Sequence, residues 1–287
     1  MSLQTYLHER YTPATAACYS RDIHAFLGSY PVAAIATHHQ LLAYMGQLRK
    51  RYSNGQTLKR LLASIKVYYD YLCYSGERAD HPARSIYLRD SKTGDVQLQD
   101  LFTSQELARL LPGEGRYKAL NTRNQVLMGL LVHQGVRAQE LALLAVTAIH
   151  LDKGQVAITG TATTNSRELP LKASQVQVLQ RYLEQDRPQL LGESGSDQLL
   201  VGMRGKPMQT EDIVKHVLRT YKGRYGDRQV STGTIRQSVI ANLLKAGHDI
   251  SVVQYYAGHK YPSSTERYKQ ADFSVLRQMV GQYHPMR

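Results

Sequence analysis

Four short segments carry side chains suited to holding a phosphate. The first is His133-Gln134-Gly135-Val136-Arg137-Ala138-Gln139-Glu140-Leu141. Arg137 follows Gly135 where a helix would begin, and a guanidinium there can fork onto two phosphate oxygens. Glu140 and Leu141 follow at i+3 and i+4, so they share its helix face. The second is Ser231-Thr232-Gly233-Thr234-Ile235-Arg236-Gln237-Ser238. It places Arg236 in the first turn of a helix with an apolar face of Ile235, Val239, Ile240, Leu243 and Leu244. Free amides at a helix start, beside an arginine, make an anion site. Just upstream, Lys215, Arg219, Lys222, Arg224 and Arg228 face a single acid, Asp227. The third is Ala257-Gly258-His259, and the fourth is Tyr268, nine residues after His259. Ser263-Ser264-Thr265-Glu266 reads as a capping box that starts a short helix carrying Tyr268. Taken singly, each has an ordinary explanation: a surface Arg–Glu pair, a solvated basic helix, a turn histidine, one half-buried aromatic among 20 tyrosines.

Two units are needed to position these residues. Thr12-Pro13 opens a helix that continues through Tyr19, Ile23, Phe26 and Leu27. Apolar periodicity then predicts helices near Leu41 to Leu48 and from Gln56 to Tyr74, the latter stopped by Ser75-Gly76. Residues 86–100 are polar and aperiodic, which marks a linker. Thr103-Ser104-Gln105-Glu106 restarts helix with a capping box. Beyond it, helices are expected at 122–134, 137–146, 173–186, 210–223, 234–246, 249–257 and 264–270, with a short terminal one over Phe273 to Val280. Val156 to Ile158 and Glu168 to Leu171 read as strands, and Val146 to Leu151 as a possible third.

The 287 residues are 42% hydrophobic and 21% charged, so each unit can pack a core. The net charge is +13, which favours a polyanionic partner. Residues 1–95 carry 12 basic and 7 acidic side chains, so the N-terminal part is basic too. Both parts are therefore suited to one long anion. No apolar run approaches the roughly 20 residues that span a bilayer. The opening MSLQTYLHER has no apolar signal core, so a cytoplasmic protein without a membrane partner is expected. Cys18 and Cys73 have no metal-ligand spacing and read as small apolar fillers, so neither a disulfide nor a bound metal is expected.

Together the segments, in the order Arg, Arg, Gly-His, Tyr, resemble the tyrosine recombinase (phage integrase) family, specifically its Xer-like site-specific recombinases. Ala246-Gly247-His248-Asp249-Ile250-Ser251-Val252-Val253-Gln254, running into Ala257-Gly258-His259, carries the resemblance, as does Arg167-Glu168-Leu169-Pro170-Leu171. Thr57 to Lys66, followed by Tyr68-Tyr69 and closed by Asp80-His81-Pro82-Ala83, extends it to the N-terminal half. The resemblance implies an all-α, SAM-like core-binding domain over residues 1–88, a linker over 89–101, and a mainly α catalytic domain over 102–287. That second domain would hold a small antiparallel β-sheet, the DNA breaking-rejoining fold.

It implies cleavage and rejoining of double-stranded DNA through a 3′-phosphotyrosine link, with no cofactor, metal or ATP. Tyr268 would be the nucleophile. Arg137 and Arg236 would bind the non-bridging oxygens, His259 would bind or position the phosphate, and Glu140 would support the site. Lys59, Arg60, Lys66 and Arg167 are expected DNA contacts. The protein would be monomeric when free, tetrameric on DNA, and associated with a bacterial-type nucleoid.

Two positions depart from the family pattern. Thr161 stands where the family's hairpin lysine protonates the leaving 5′-hydroxyl. Gly233 stands where a histidine or lysine helps deprotonate the tyrosine. Lys172, Lys153 or Arg167 near the hairpin, and Gln237 or His248 near the helix, are candidate substitutes. The departures leave open an alternative: a catalytically impaired relative acting as an architectural or regulatory DNA-binding protein. A non-DNA helical protein with incidental charge is a third reading, left open by composition but not by the order of the motifs.

Overall fold

The computed structural model describes residues 1–88, 101–111 and 117–269. The expected linker, apart from Leu101, and the stretch from Phe273 to Val280 lie outside the described residues. The chain divides into two units, Met1–Gly94 and Asp95–Arg287. No described helix is long and apolar enough to cross a membrane.

The first unit is built from α1 (Leu3–Arg10), α2 (Pro13–Ser29), α3 (His38–Arg51) and α4 (Gly55–Tyr74). Each start has its cap: Ser2, Thr12, a Thr37–Gln40 capping box, and Asn54. Helix α1 was not among the expected elements, because it buries only the adjacent pair Tyr6 and Leu7, too little for a periodic signal. Ile23 and Phe26 of α2 meet Leu58, Leu62, Ile65 and Tyr69 of α4 in the core. Much of the tyrosine content is packed here. Tyr30, Tyr44, Tyr68 and Tyr69 ring Phe26 at centroid distances of 5.1 to 6.5 Å. The buried Tyr69 hydroxyl donates to the Ala33 carbonyl at 2.6 Å.

The second unit begins with α5 (Ser104–Ala108), capped by the Thr103–Glu106 box. Helix α6 (Lys118–Gln134) is central, with Leu127, Met128, Leu130 and Leu131 all buried. Then come α7 (Ala138–Ala142), β1 (Ile149–His150), β2 (Gln155–Ile158) and β3 (Arg167–Pro170). The expected 137–146 helix is thus five residues long. The expected third strand shrinks to two residues after a 3-10 turn. Helix α8 (Ala173–Arg181) passes through a π turn into α9 (Arg187–Leu191). The unit finishes with α10 (Thr210–Thr220), α11 (Thr232–Lys245), α12 (Ile250–Ala257) and α13 (Ser263–Lys269).

The sheet is antiparallel in the order β1-β2-β3, with Val156 opposite Leu169 and Ile158 opposite Arg167. Side chains alternate between faces along a strand. Arg167 and Leu169 are buried while Glu168 and Pro170 are exposed, so Arg167 points into the core. Helix α11 packs against α5, α6, α12 and α13, which makes it the post on which the site is assembled.

Candidate active site

Arg236 is the fifth residue of α11, two positions further in than the expected start at residue 234 implied. It is only 7% exposed. Its Nη1 donates to the Gly135 carbonyl at 2.7 Å and its Nη2 to the Ala257 carbonyl at 2.6 Å. Both acceptors lie at helix ends, where carbonyls lack partners and the helix dipole is negative. Gly135 ends α6 and Gly258 ends α12, each in the left-handed conformation that glycine adopts without strain (φ +60° and +68°). A side chain at Gly258 would also run into the Arg167 guanidinium, 2.5 Å from the Cβ position.

Arg137 precedes α7, and its backbone N–H donates to Glu140 Oε2 at 2.9 Å. Its Nη1 donates to Thr163 Oγ1 at 3.2 Å, while its buried Nε has no hydrogen-bond partner. Glu140 is buried and takes both terminal nitrogens of Arg167, each at 2.9 Å. Burial pushes the Glu140 carboxyl up, but the bonds from Arg167 and the Arg137 amide outweigh it, and the carboxyl stays below its ordinary range. Arg167 Nε donates to the Tyr256 carbonyl at 2.9 Å, tying β3 to α12.

Arg167 is therefore not an open phosphate contact. Its side chain is fully buried, with its charge spent on Glu140. The signal was present in the strand: Arg167 shares parity with the inward Leu169. In the N-terminal unit Arg60 is engaged by Asp22, and Lys66 donates to the Arg84 carbonyl at 3.0 Å and covers the Tyr87 ring. Of the three expected contacts on α4, Lys59 alone makes no such local bond among the described residues.

His259 is 6% exposed. Burial, with Arg236, Arg137 and Arg167 nearby, pushes its pKa down to about 4, so the imidazole is neutral at pH 7. Its Nδ1 is hydrogen-bonded to Thr265 Oγ1 at 2.8 Å. Tyr268 lies on α13, half-buried against Ile240, Val253 and Ala257. Burial raises its pKa, and the charges of Arg236, Arg267 and Arg137 pull the other way. Its hydroxyl thus lies within electrostatic reach of both arginines. Helix α13 starts from backbone bonds of Thr265 and Glu266 to the Pro262 carbonyl, upstream of the expected Ser263 cap.

The hairpin between β2 and β3 completes the site. Its tip is a closed turn in which Thr161 and Thr164 exchange backbone bonds of 3.0 and 3.3 Å. The Thr161 hydroxyl also meets those of Thr163 and Thr164. Thr164 pairs antiparallel with His259, and the Asn165 N–H donates to the Gly258 carbonyl at 2.9 Å. Two proposed substitute donors fail on topology. Lys153 and Lys172 flank the opposite end of β2 and β3, so the whole length of those four-residue strands, roughly 13 Å at 3.3 Å per residue, lies between them and the hairpin loop. His248 follows the far end of α11 from Gly233. Gln237 lies one turn below Gly233 on the same helix face.

Residues 101–274 match the family model for the phage integrase family, more than half of the chain. Tyrosine recombinase XerC of Alcanivorax borkumensis is 28% identical over 279 residues, covering 96% of this chain and 89% of that one. Tyrosine recombinase XerD of Staphylococcus aureus is 27% identical over 241 residues, covering 84% and 80%. The fold matches that of a lambda integrase dimer bound to a core site (TM-score 0.70, 15% identity, 94% and 93% covered). It also matches XerH recombinase bound to a palindromic substrate after cleavage (TM-score 0.69, 19% identity, 87% and 73% covered). With the match spanning the unit that holds Arg137, Arg236, His259 and Tyr268, the chain belongs to the phage integrase family, the tyrosine recombinases that cleave and rejoin DNA strands.

Proposed function

We propose that this chain is a catalytically competent site-specific recombinase in which Tyr268 attacks the scissile phosphate. What carries the reading is one imbalance. Three guanidiniums, Arg137, Arg167 and Arg236, stand beside one carboxylate, Glu140. Arg167 and Glu140 neutralise each other, so the half-buried Arg137 and the buried Arg236 are left without a carboxylate of their own among the described residues. Burial and the neighbouring Arg137 push the Arg236 pKa down to about 10, a cost that a bound phosphodiester would remove.

In the first step the phenol proton passes to solvent, the Tyr268 oxygen bonds to phosphorus, and the bond to the 5′-oxygen breaks, leaving its electron pair on that oxygen, which then takes up a proton. Arg137 and Arg236 hold the two non-bridging oxygens and stabilise the charge that grows on them. We assign His259 the tautomer in which Nδ1 accepts from the Thr265 hydroxyl, so that its Nε2–H is a neutral hydrogen-bond donor to the phosphate. In the second step a 5′-hydroxyl from another strand attacks the phosphotyrosine, and Tyr268 leaves with a proton restored. The link conserves the phosphodiester bond, so no external energy source is needed. We place the protein in the bacterial cytoplasm on nucleoid DNA, free as a monomer and assembled as a tetramer on duplex. Light scattering with and without DNA tests the assembly.

The chemical test uses a nicked duplex chosen by binding selection from a random-sequence library. Wild type traps a covalent protein–DNA adduct on a denaturing gel, and Tyr268→Phe traps none. No wild-type adduct, or an equal yield from Tyr268→Phe, sinks the proposal. The alternative, an architectural protein that binds without cleaving, is the outcome in which selected DNA binds tightly and no adduct forms.

A further inference from the structure

The leaving group of the cleavage step is a 5′-alkoxide. It is a strong base, and a group that protonates it as the bond breaks contributes roughly 10² to 10⁴ in rate. The groups around the phosphate site are poor donors for this. An ordinary guanidinium holds its protons. Both terminal nitrogens of Arg236 are engaged by carbonyls, and Arg167 is closed off by Glu140. His259 is neutral and tied to Thr265. The hairpin tip offers only threonine hydroxyls, bonded to one another.

One ammonium group is brought to this place by backbone pairing. The segment Gly258-His259 runs antiparallel to Thr164-Asn165, fixed by the Thr164–His259 bridge and the Asn165-to-Gly258 hydrogen bond of 2.9 Å. The next residue along that segment is Lys260, one Cα step of about 3.8 Å beyond His259. It lies on the side of the pairing where the hairpin continues to Thr163. Thr163 Oγ1 accepts from Arg137 Nη1 at 3.2 Å. Lys260 is exposed, so its flexible four-carbon side chain can swing towards a bound strand. Lysine, unlike arginine, can give up its proton and recover it.

We propose that Lys260 is the general acid of strand cleavage, delivering a proton to the 5′-oxygen across the hairpin tip at Thr161–Thr163. This rests on the reading of Tyr268 as nucleophile. In the cleavage step the Lys260 ammonium loses one proton, the 5′-oxygen gains it, and the P–O5′ bond breaks. In rejoining the neutral amine takes the proton back from the attacking 5′-hydroxyl.

The test compares two versions of the selected nicked duplex, one with the ordinary 5′-oxygen and one with sulfur in its place at the scissile phosphate. A thiol ionises near 8.5, so the sulfur leaves without protonation. Lys260→Ala is expected to slow oxygen-substrate cleavage by roughly 10² to 10⁴-fold. The sulfur substrate should restore that variant to within a few-fold of wild type. Thr161→Lys added to Lys260→Ala should recover part of the oxygen rate, while Lys260→Arg should not. Equal slowing on both substrates would make Lys260 a phosphate or positioning contact, and no slowing on oxygen would remove it from the reaction. Either overturns the proposal while leaving Tyr268 in place. Failure of wild type on both substrates, or cleavage by Tyr268→Phe, overturns the nucleophile reading and this one with it.

Discussion

Asp22 in the N-terminal unit and Glu140 in the C-terminal unit are both buried carboxylates among arginine side chains, and the two clusters are balanced differently. In the N-terminal unit Asp22 takes Arg60 and the Ser64 hydroxyl, with Cys18 beside them. The Arg60–Asp22 pair is neutral, the second arginine at Asp22, Arg21 at 3.8 Å, is largely in water at 73% exposure, and the Arg60 side chain still meets water at 40%. In the C-terminal unit Glu140 and Arg167 are both wholly buried, and two further guanidiniums stand nearby. The first cluster is closed, and a closed pair holds helices together. The second is open, and a protein tolerates an open buried charge where something else arrives to complete it. A buried arginine is thus uninformative until its neighbours are counted.

The strongest challenge to this contrast is removal of each carboxylate. Glu140→Gln should lose about 3–5 kcal/mol of stability, because it strands a fully buried guanidinium and the Arg137 amide. Asp22→Asn should lose only about 1–2 kcal/mol, since Arg60 can turn to solvent. Urea unfolding measures both, and equal losses would erase the distinction.

A second test adds charge to the open cluster by lowering pH. His259 is held at about 4 in the folded chain against 6.5 for the free imidazole. The unfolded state therefore binds its proton first, and stability falls as pH drops from 6.5 towards 4. The loss should reach about 3 kcal/mol at ~1.4 per pH unit. His259→Gln should flatten that window, and an unchanged profile would mean the open charge does not reach the imidazole.

A closed pair nearer the surface gives a smaller effect in a different window. Arg228 holds the Glu106 carboxyl down to about 2, aided by the Thr103 amide of the α5 cap. Its contribution is present above the free carboxyl value of about 4.5 and is lost as pH falls towards 2. Both side chains keep some solvent contact, so about 1 kcal/mol is expected, removed by Glu106→Gln. The smallest stability change should come from Gly233→His. The added Cβ meets only Ser231 Oγ, 3.6 Å away, and glycine in a helix costs about 1 kcal/mol. With Thr161→Lys it should raise adduct yield at nearly constant stability, as read on the nicked duplex and by thermal melting.

Local signals carried far in this chain. Thr12, the Thr103–Glu106 box and the Ser231 cap start helices where their side chains satisfy free amides. The long helices α2, α4 and α11 follow their apolar periods. The short elements did not read true: α7 ends at Ala142, and β1 keeps two residues, because packing rather than propensity decides pieces that short. Arg167 was misjudged by treating an arginine near a loop as exposed, although its alternation with Leu169 already pointed it inward.

The order Arg137, Arg236, Gly258-His259, Tyr268 and the two-unit plan could be read from residues alone, since capping, periodicity and motif order act over a few neighbours. Which carboxylate consumes Arg167, and that Arg137 and Arg236 are left open, could not. That depends on Glu140, Thr164, Gly135 and Ala257 meeting from four distant stretches of chain. The same holds for Lys260, made relevant only by the pairing of His259 with Thr164. Charge compensation is a property of distance through space, and only the folded chain sets those distances.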